Sequence, residues 1–130
     1  MKTATRVSIW LVLAAGLWAP AVACGSSMAP SGPPTATNLI TITSAGVVNP
    51  KSIVVARGSQ VTIFNNDSRP HDMESDPHPA HTDCPELELV GFLKAGERRT
   101  SGNLNIARTC GFHDHDDAGN QGLQGKLVIQ

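Results

Sequence analysis

From Asn38 onward, apolar positions recur at a period of two in short runs. LITITS, SIVVA, QVTIF and GKLVIQ each alternate, are rich in β-branched residues, and are bounded by Gly, Pro or Asn. Such runs predict half-buried strands, because successive side chains of a strand point to opposite faces. No window carries a 3.6-residue period with helix caps. Several short strands at this spacing predict an all-β antiparallel sandwich or barrel. Residues 66–86, NDSRPHDMESDPHPAHTDCPE, break the alternation and are rich in Pro and Asp. They predict one long loop, and a loop of that length inside a compact domain is usually functional or disordered.

Upstream of Asn38 the pattern is different. Lys2 and Arg6 begin a segment whose apolar run, SIWLVLAAGLWAPAVA, closes on Ala21-Val22-Ala23. A basic start, a short apolar stretch interrupted by Pro20 and a small-residue end predict a secretory signal peptide over 1–23. Cys24, followed by Gly-Ser-Ser, resembles a bacterial lipoprotein box, which implies lipidation of Cys24; plain export is the alternative. Residues 24–37, small, polar and proline-rich, read as a flexible tether. Residues 38–130 then form a single domain, exported to a bacterial periplasm or cell surface and membrane-associated through the lipid.

Cleavage changes the composition. Without Lys2 and Arg6, eight basic residues face eleven acidic ones, a net of −3. No cluster of Lys and Arg offers a nucleic-acid footprint. Trp10 and Trp18 leave with the signal and the chain has no Tyr, so Phe64, Phe92 and Phe112 are the aromatic stock of the core. A core this modest favours covalent or metal reinforcement. With Cys24 lipidated, Cys84 and Cys110 remain as a pair in an oxidising compartment.

The candidate chemistry lies in the histidines. His71, His78, His81, His113 and His115 are the only five, and all fall in two polar segments beside those two cysteines. The plain reading is a solvated acidic loop with incidental histidines. The sharper one brings the 71–84 and 110–115 segments together at one end of the sandwich around a metal. Imidazole suits zinc, copper, iron and nickel alike.

Two stretches carry a family resemblance. GSQVTIFNNDSRPH, residues 58–71, resembles the cupredoxin signature, in which a glycine turn, an alternating strand, Asn and Asp lead to the first copper histidine. Cys110, His113 or His115, and then GLQGKLVIQ resemble the cupredoxin C-terminal loop and last strand. The likeness spans about residues 38–130 and implies a Greek-key β-sandwich of about seven or eight strands. It implies one copper ion held by His71, Cys110 and His113 or His115, cycling between Cu(I) and Cu(II). It also implies one-electron transfer by a monomer to a periplasmic or membrane redox partner, rather than enzymatic catalysis. The axial position is Leu123, where the family usually carries Met; Gln121 and Gln124 are the polar alternatives.

The chain departs from the pattern at two further places. Arg108 stands where an aromatic usually precedes the copper cysteine, and Cys84 is extra. A Cys84–Cys110 disulfide would stabilise the domain by about 3–4 kcal/mol through loop closure. It would also leave a nitrogen-only, type 2-like site able to hold copper or zinc, in a non-redox copper-binding or copper-handling protein. On a strand His113 and His115 share a face, with His71 and His78 or His81 completing the set. Asp114 would face the other way, and Asp116 or Asp117 would accept from an imidazole N–H. A metal-free interaction sandwich is a third alternative.

GFHDH, residues 111–115, also looks like the copper motif of copper/zinc superoxide dismutases, so a dismutase-like activity is the enzymatic alternative. In that family the motif lies mid-chain and further metal histidines follow it, whereas no histidine follows His115. Nucleophile elbows, phosphate loops and H-E-x-x-H are absent. Asp72, Glu74, Asp76 and Asp83 read as a solvated loop face or, less simply, an acid/base set.

Overall fold

The four alternating runs are strands in the computed structural model, which describes residues 38–130. The expected signal peptide, the tether and Cys24 lie outside the described residues. The strands are β1 (Leu39–Ile42), β2 (Val48–Asn49), β3 (Ser52–Val55), β4 (Thr62–Asn65), β5 (His71–Ser75), β6 (Gly91–Leu93), β7 (Arg98–Thr100), β8 (Arg108–Asp114) and β9 (Gly125–Ile129). Among the described residues the only helical pieces are 3₁₀ turns at Pro85–Leu89, His115–Asp117 and Gln121–Leu123.

Two sheets face each other, ordered β2-β1-β4-β7 and β3-β9-β8-β5-β6. The expectation of an all-antiparallel sandwich is corrected at two pairs: β1 with β4 and β3 with β9 run parallel. The chain leaves β1 through β2, crosses to the other sheet as β3, and returns as β4 alongside β1. Strands that meet after such an excursion need not reverse. The strand count, nine, exceeds the expected seven or eight because β2, β6 and β7 have only two or three residues each.

Period-two alternation fills the space between the sheets. Ile40 and Ile42 of β1, Ile63 of β4, Met73 of β5, Leu93 of β6, Phe112 of β8, and Leu127 and Ile129 of β9 are buried there. Full burial of one such side chain stabilises by roughly 1.5–3 kcal/mol. Phe112 is the one aromatic in this core, a correction to the expected three. Phe64 falls on the outward phase of β4 beneath the Arg98 guanidinium, 4.2 Å from its ring centre. Phe92 lies on the edge strand β6 opposite Asp72, 45% exposed. Gly125 pairs with Phe112, and a Cβ there would run into the Phe112 ring, so the close fit of β8 to β9 requires glycine at that point.

β5 was not expected. Its residues HDMES alternate buried and half-buried, but the inward positions are His71, Met73 and Ser75. With polar side chains at two of three inward sites, a hydrophobicity pattern cannot reveal the strand. The loop is correspondingly shorter than predicted, running from Asp76 to Cys84.

Candidate metal centre

β5 and β8 are antiparallel neighbours, with Glu74 opposite His113 and Met73 opposite Asp114. Residues opposite each other in a pair share a face. Cys110, Phe112 and Asp114 therefore point into the sandwich, while Gly111, His113, Glu74 and Asp72 occupy the outer face of the five-stranded sheet. The segment after β5 folds back over that face. Asp76 N–H donates to the Gly111 carbonyl at 3.0 Å, and Asp83 N–H returns to the Asp76 carbonyl at 2.8 Å.

This arrangement gathers four imidazoles. His78 and His81 from the loop, with His113 and His115 from the end of β8, each present a nitrogen, all within 4.8 Å of one another. His78 stands with its ring centre 4.9 Å from that of His115 and 5.4 Å from that of His113. The cluster sits where the outer face of the sheet meets the end of β8: His113 falls on the outward phase of β8, and His115 opens the 3₁₀ turn that follows it.

Carboxylates stand beside Nδ1 of three of the rings, and His115 Nδ1 also lies 3.3 Å from His81 Nε2. Asp76 Oδ1 accepts from His113 Nδ1 at 2.6 Å. Glu74 Oε2 lies 2.5 Å from His81 Nδ1 and 3.2 Å from His115 Nδ1. A carboxylate on Nδ1–H sets the tautomer that leaves the Nε2 lone pair free for a metal. His113 Nε2 has no hydrogen-bond partner, although His113 is only 2% exposed. An unpartnered buried polar atom costs about 1–3 kcal/mol, and a metal ion in the cluster would remove that cost. Gly111 makes the Asp76 contact possible, since a Cβ at 111 would overlap the Asp76 carboxylate.

His78 differs from the other three. It is exposed and no carboxylate backs its ring. Desolvation first, then the neighbouring imidazoles of His115, His113 and His81, hold its pKa below the ordinary 6.5, so its lone pair is free at neutral pH.

The donor set fits a metal. Four nitrogens around an ion at about 2.0–2.1 Å sit roughly 3.3 Å apart, within reach of small ring rotations here. An all-imidazole set accepts copper, zinc, nickel or iron, and among divalent ions copper binds most tightly.

His71 is not part of this group. It faces the interior, with Nδ1 2.7 Å from Asp114 Oδ2 and Nε2 3.1 Å from Asp67 Oδ2, so both ring nitrogens are engaged. His71, expected as a copper ligand, therefore stands apart from the four-imidazole group. Asp114 also accepts from the Asp72 and Asp116 amides at 3.1 and 3.2 Å. Asp67 is held below the usual carboxylate range, chiefly by the His71 hydrogen bond, against some desolvation.

Cys110 is bonded to Cys84, with Cα atoms 5.8 Å apart, and both are fully buried. A sulfur in that bond is no thiolate, so the cysteine-ligated reading is corrected. Leu123, expected at the axial position, packs in the core. Gln124 donates to the Ala118 carbonyl at 2.7 Å, and the Gln121 carbonyl accepts from Lys51. The carboxylates beside the imidazoles are Asp76 and Glu74 in place of the expected Asp116 and Asp117. Asp117 accepts from Asn120 instead.

No protein-family model matches the chain. A chloroplastic plastocyanin of Oryza sativa subsp. indica is 29% identical over 133 aligned positions, covering 99% of this chain and 84% of the relative. Among solved structures, a purple cupredoxin from Nitrosopumilus maritimus superposes with a TM-score of 0.55 at 19% identity, covering 71% of this chain and 98% of its own. The oxidised plastocyanin of the fern Dryopteris crassirhizoma superposes with a TM-score of 0.55 at 18% identity, covering 71% and 99%.

Proposed function

We propose that the chain is a cupredoxin, as its likeness to a plastocyanin supports, and that it binds one copper ion through His78, His81, His113 and His115. The observation that carries the proposal is the buried, unpartnered Nε2 of His113 facing three other imidazoles. Bound copper would supply a one-electron Cu(I)/Cu(II) couple. The residues of the chain supply the rest. Asp76 holds the Nδ1 proton of His113 and so aims its Nε2 at the ion, while Glu74 stands beside His81 and His115 as a neighbouring negative charge. β8 carries His113, the 3₁₀ turn after it carries His115, and the loop closing at the disulfide carries the other two.

Copper holding and hand-over is the reading we favour over rapid electron transfer. A nitrogen-only set without thiolate reorganises more between the two copper states than a His₂Cys site does. One-electron transfer to a redox partner is the second reading, supported by the plastocyanin and purple cupredoxin likeness. Zinc suits the same donors, and a competition titration decides between the metals. The N-terminal pattern supports export with a lipid on Cys24, which the mass of the mature N-terminal peptide would test.

The test of the binding proposal is a titration of the metal-free protein with Cu(II). One equivalent should bind, and His113→Ala should lose that binding. A wild-type protein that takes up no stoichiometric copper would refute it.

A further inference from the structure

Three of the four imidazoles are braced and one is not. His113 is hydrogen-bonded to Asp76, and Glu74 Oε2 lies within 3.2 Å of Nδ1 of both His81 and His115, while His78 has no carboxylate beside its ring and is exposed. His78 also sits between two prolines, Pro77 and Pro79, on the outermost part of the loop, where both flanking residues are exposed. Its ring nevertheless reaches the cluster, standing 4.9 to 5.7 Å from the other three ring centres.

We infer that His78 is the exchangeable ligand of the copper, and that the position it vacates is where an imidazole donor of an incoming molecule takes hold of the metal. The inference rests on the reading of the four-histidine cluster as a copper site. A ligand with its second nitrogen fixed loses little rotamer freedom on coordination, whereas a free, solvated ring must be immobilised by the metal alone. The unbraced ring therefore leaves first. In the exchange, the copper–nitrogen bond to His78 breaks and a copper–nitrogen bond to the incoming neutral imidazole forms. The electron count at the metal and its oxidation state stay the same, and His78 departs as neutral imidazole, taking up a proton only if the solution supplies one. The carboxylate-backed trio keeps the copper attached during the exchange, and a second incoming donor can then draw it off. This arrangement fits a protein that hands copper to an acceptor whose own site is rich in histidine.

The experiment compares His78→Ala, His81→Ala and the wild-type protein, each checked for fold by far-UV circular dichroism and for an intact Cys84–Cys110 bond by peptide mapping. His78→Ala should still bind one copper, with affinity lowered at least about tenfold less than in His81→Ala. Free imidazole should bind the copper-loaded His78→Ala protein with one-to-one stoichiometry and restore the wild-type copper spectrum. It should also accelerate copper loss to a chelator from that variant more than from wild type. Loss of copper in His78→Ala as complete as in His81→Ala would overturn the inference, and so would a spectrum and affinity unchanged from wild type. If the wild-type protein bound no copper, the reading of the cluster would fail first, and the two failures are distinguishable on that ground.

Discussion

Removal of the disulfide should cost the metal-free domain about 3.5 kcal/mol. Cys84 and Cys110 are 26 residues apart, and closing a loop of that length lowers the entropy of the unfolded chain by about 12 cal/mol/K in the chain-entropy relation. At 25 °C that is about 3.5 kcal/mol, a large share of the 5–15 kcal/mol by which domains of this kind are usually stable. The perturbation is the double variant Cys84→Ala/Cys110→Ala, compared with the oxidised protein by urea unfolding. Metal must be absent from both, since an ion bound only to the native state would mask part of the loss. With a slope of about 1.5 kcal/mol/M, the midpoint should fall by roughly 2 M at unchanged two-state behaviour. Both sulfurs are fully buried, so small cavities in the variant add to the loss. A midpoint shift below about 0.5 M would refute the reasoning, because the link would then constrain an unfolded chain that is already compact at this point.

Three other outcomes follow from the same geometry. Gly111→Ala should push the Asp76 carboxylate off His113 and weaken copper binding by about 10–100-fold, read by competition with a chelator of known affinity. His71→Asn should leave the copper spectrum unchanged while destabilising the fold by about 1.5–3 kcal/mol, through the lost hydrogen bond to Asp114, as measured by denaturant unfolding. Asp67, whose folded pKa lies below its ordinary 3.8, contributes stability that is present above that value and lost as the pH falls through the lower folded value. Melting temperatures taken across acid pH should show this limb, and Asp67→Asn should flatten it.

Where the sequence announced its structure, alternation was the reason. β1, β3, β4 and β9 bury Ile, Val and Leu on one phase, and a period of two is visible whenever the inward residues are apolar. β5 escapes that reading because His71 and Ser75 face inward. The site was legible in part. Histidines concentrated in two polar segments point to a shared centre, and His113 and His115 do meet there, although His115 lies in the 3₁₀ turn after β8 and not on the strand. His71 is the instructive exception. Its place ahead of the other histidines matches the order of a copper-site signature, but order along the chain does not say which side of a sheet a residue faces. Asp114 and Asp67 claim both of its nitrogens from the interior. The supporting carboxylates were hidden too, since Glu74 becomes a neighbour of His81 only when β5 pairs with β8 and the loop folds back over them.

The most direct measurement is the copper-edge X-ray absorption and visible spectrum of the copper-loaded, oxidised protein. Four imidazoles predict scattering from nitrogen alone, with the outer-shell pattern of histidine rings and only weak visible absorption. A short copper–sulfur distance with intense visible absorption would contradict it, since it would require Cys110 as a thiolate and the Cys84–Cys110 bond to be open.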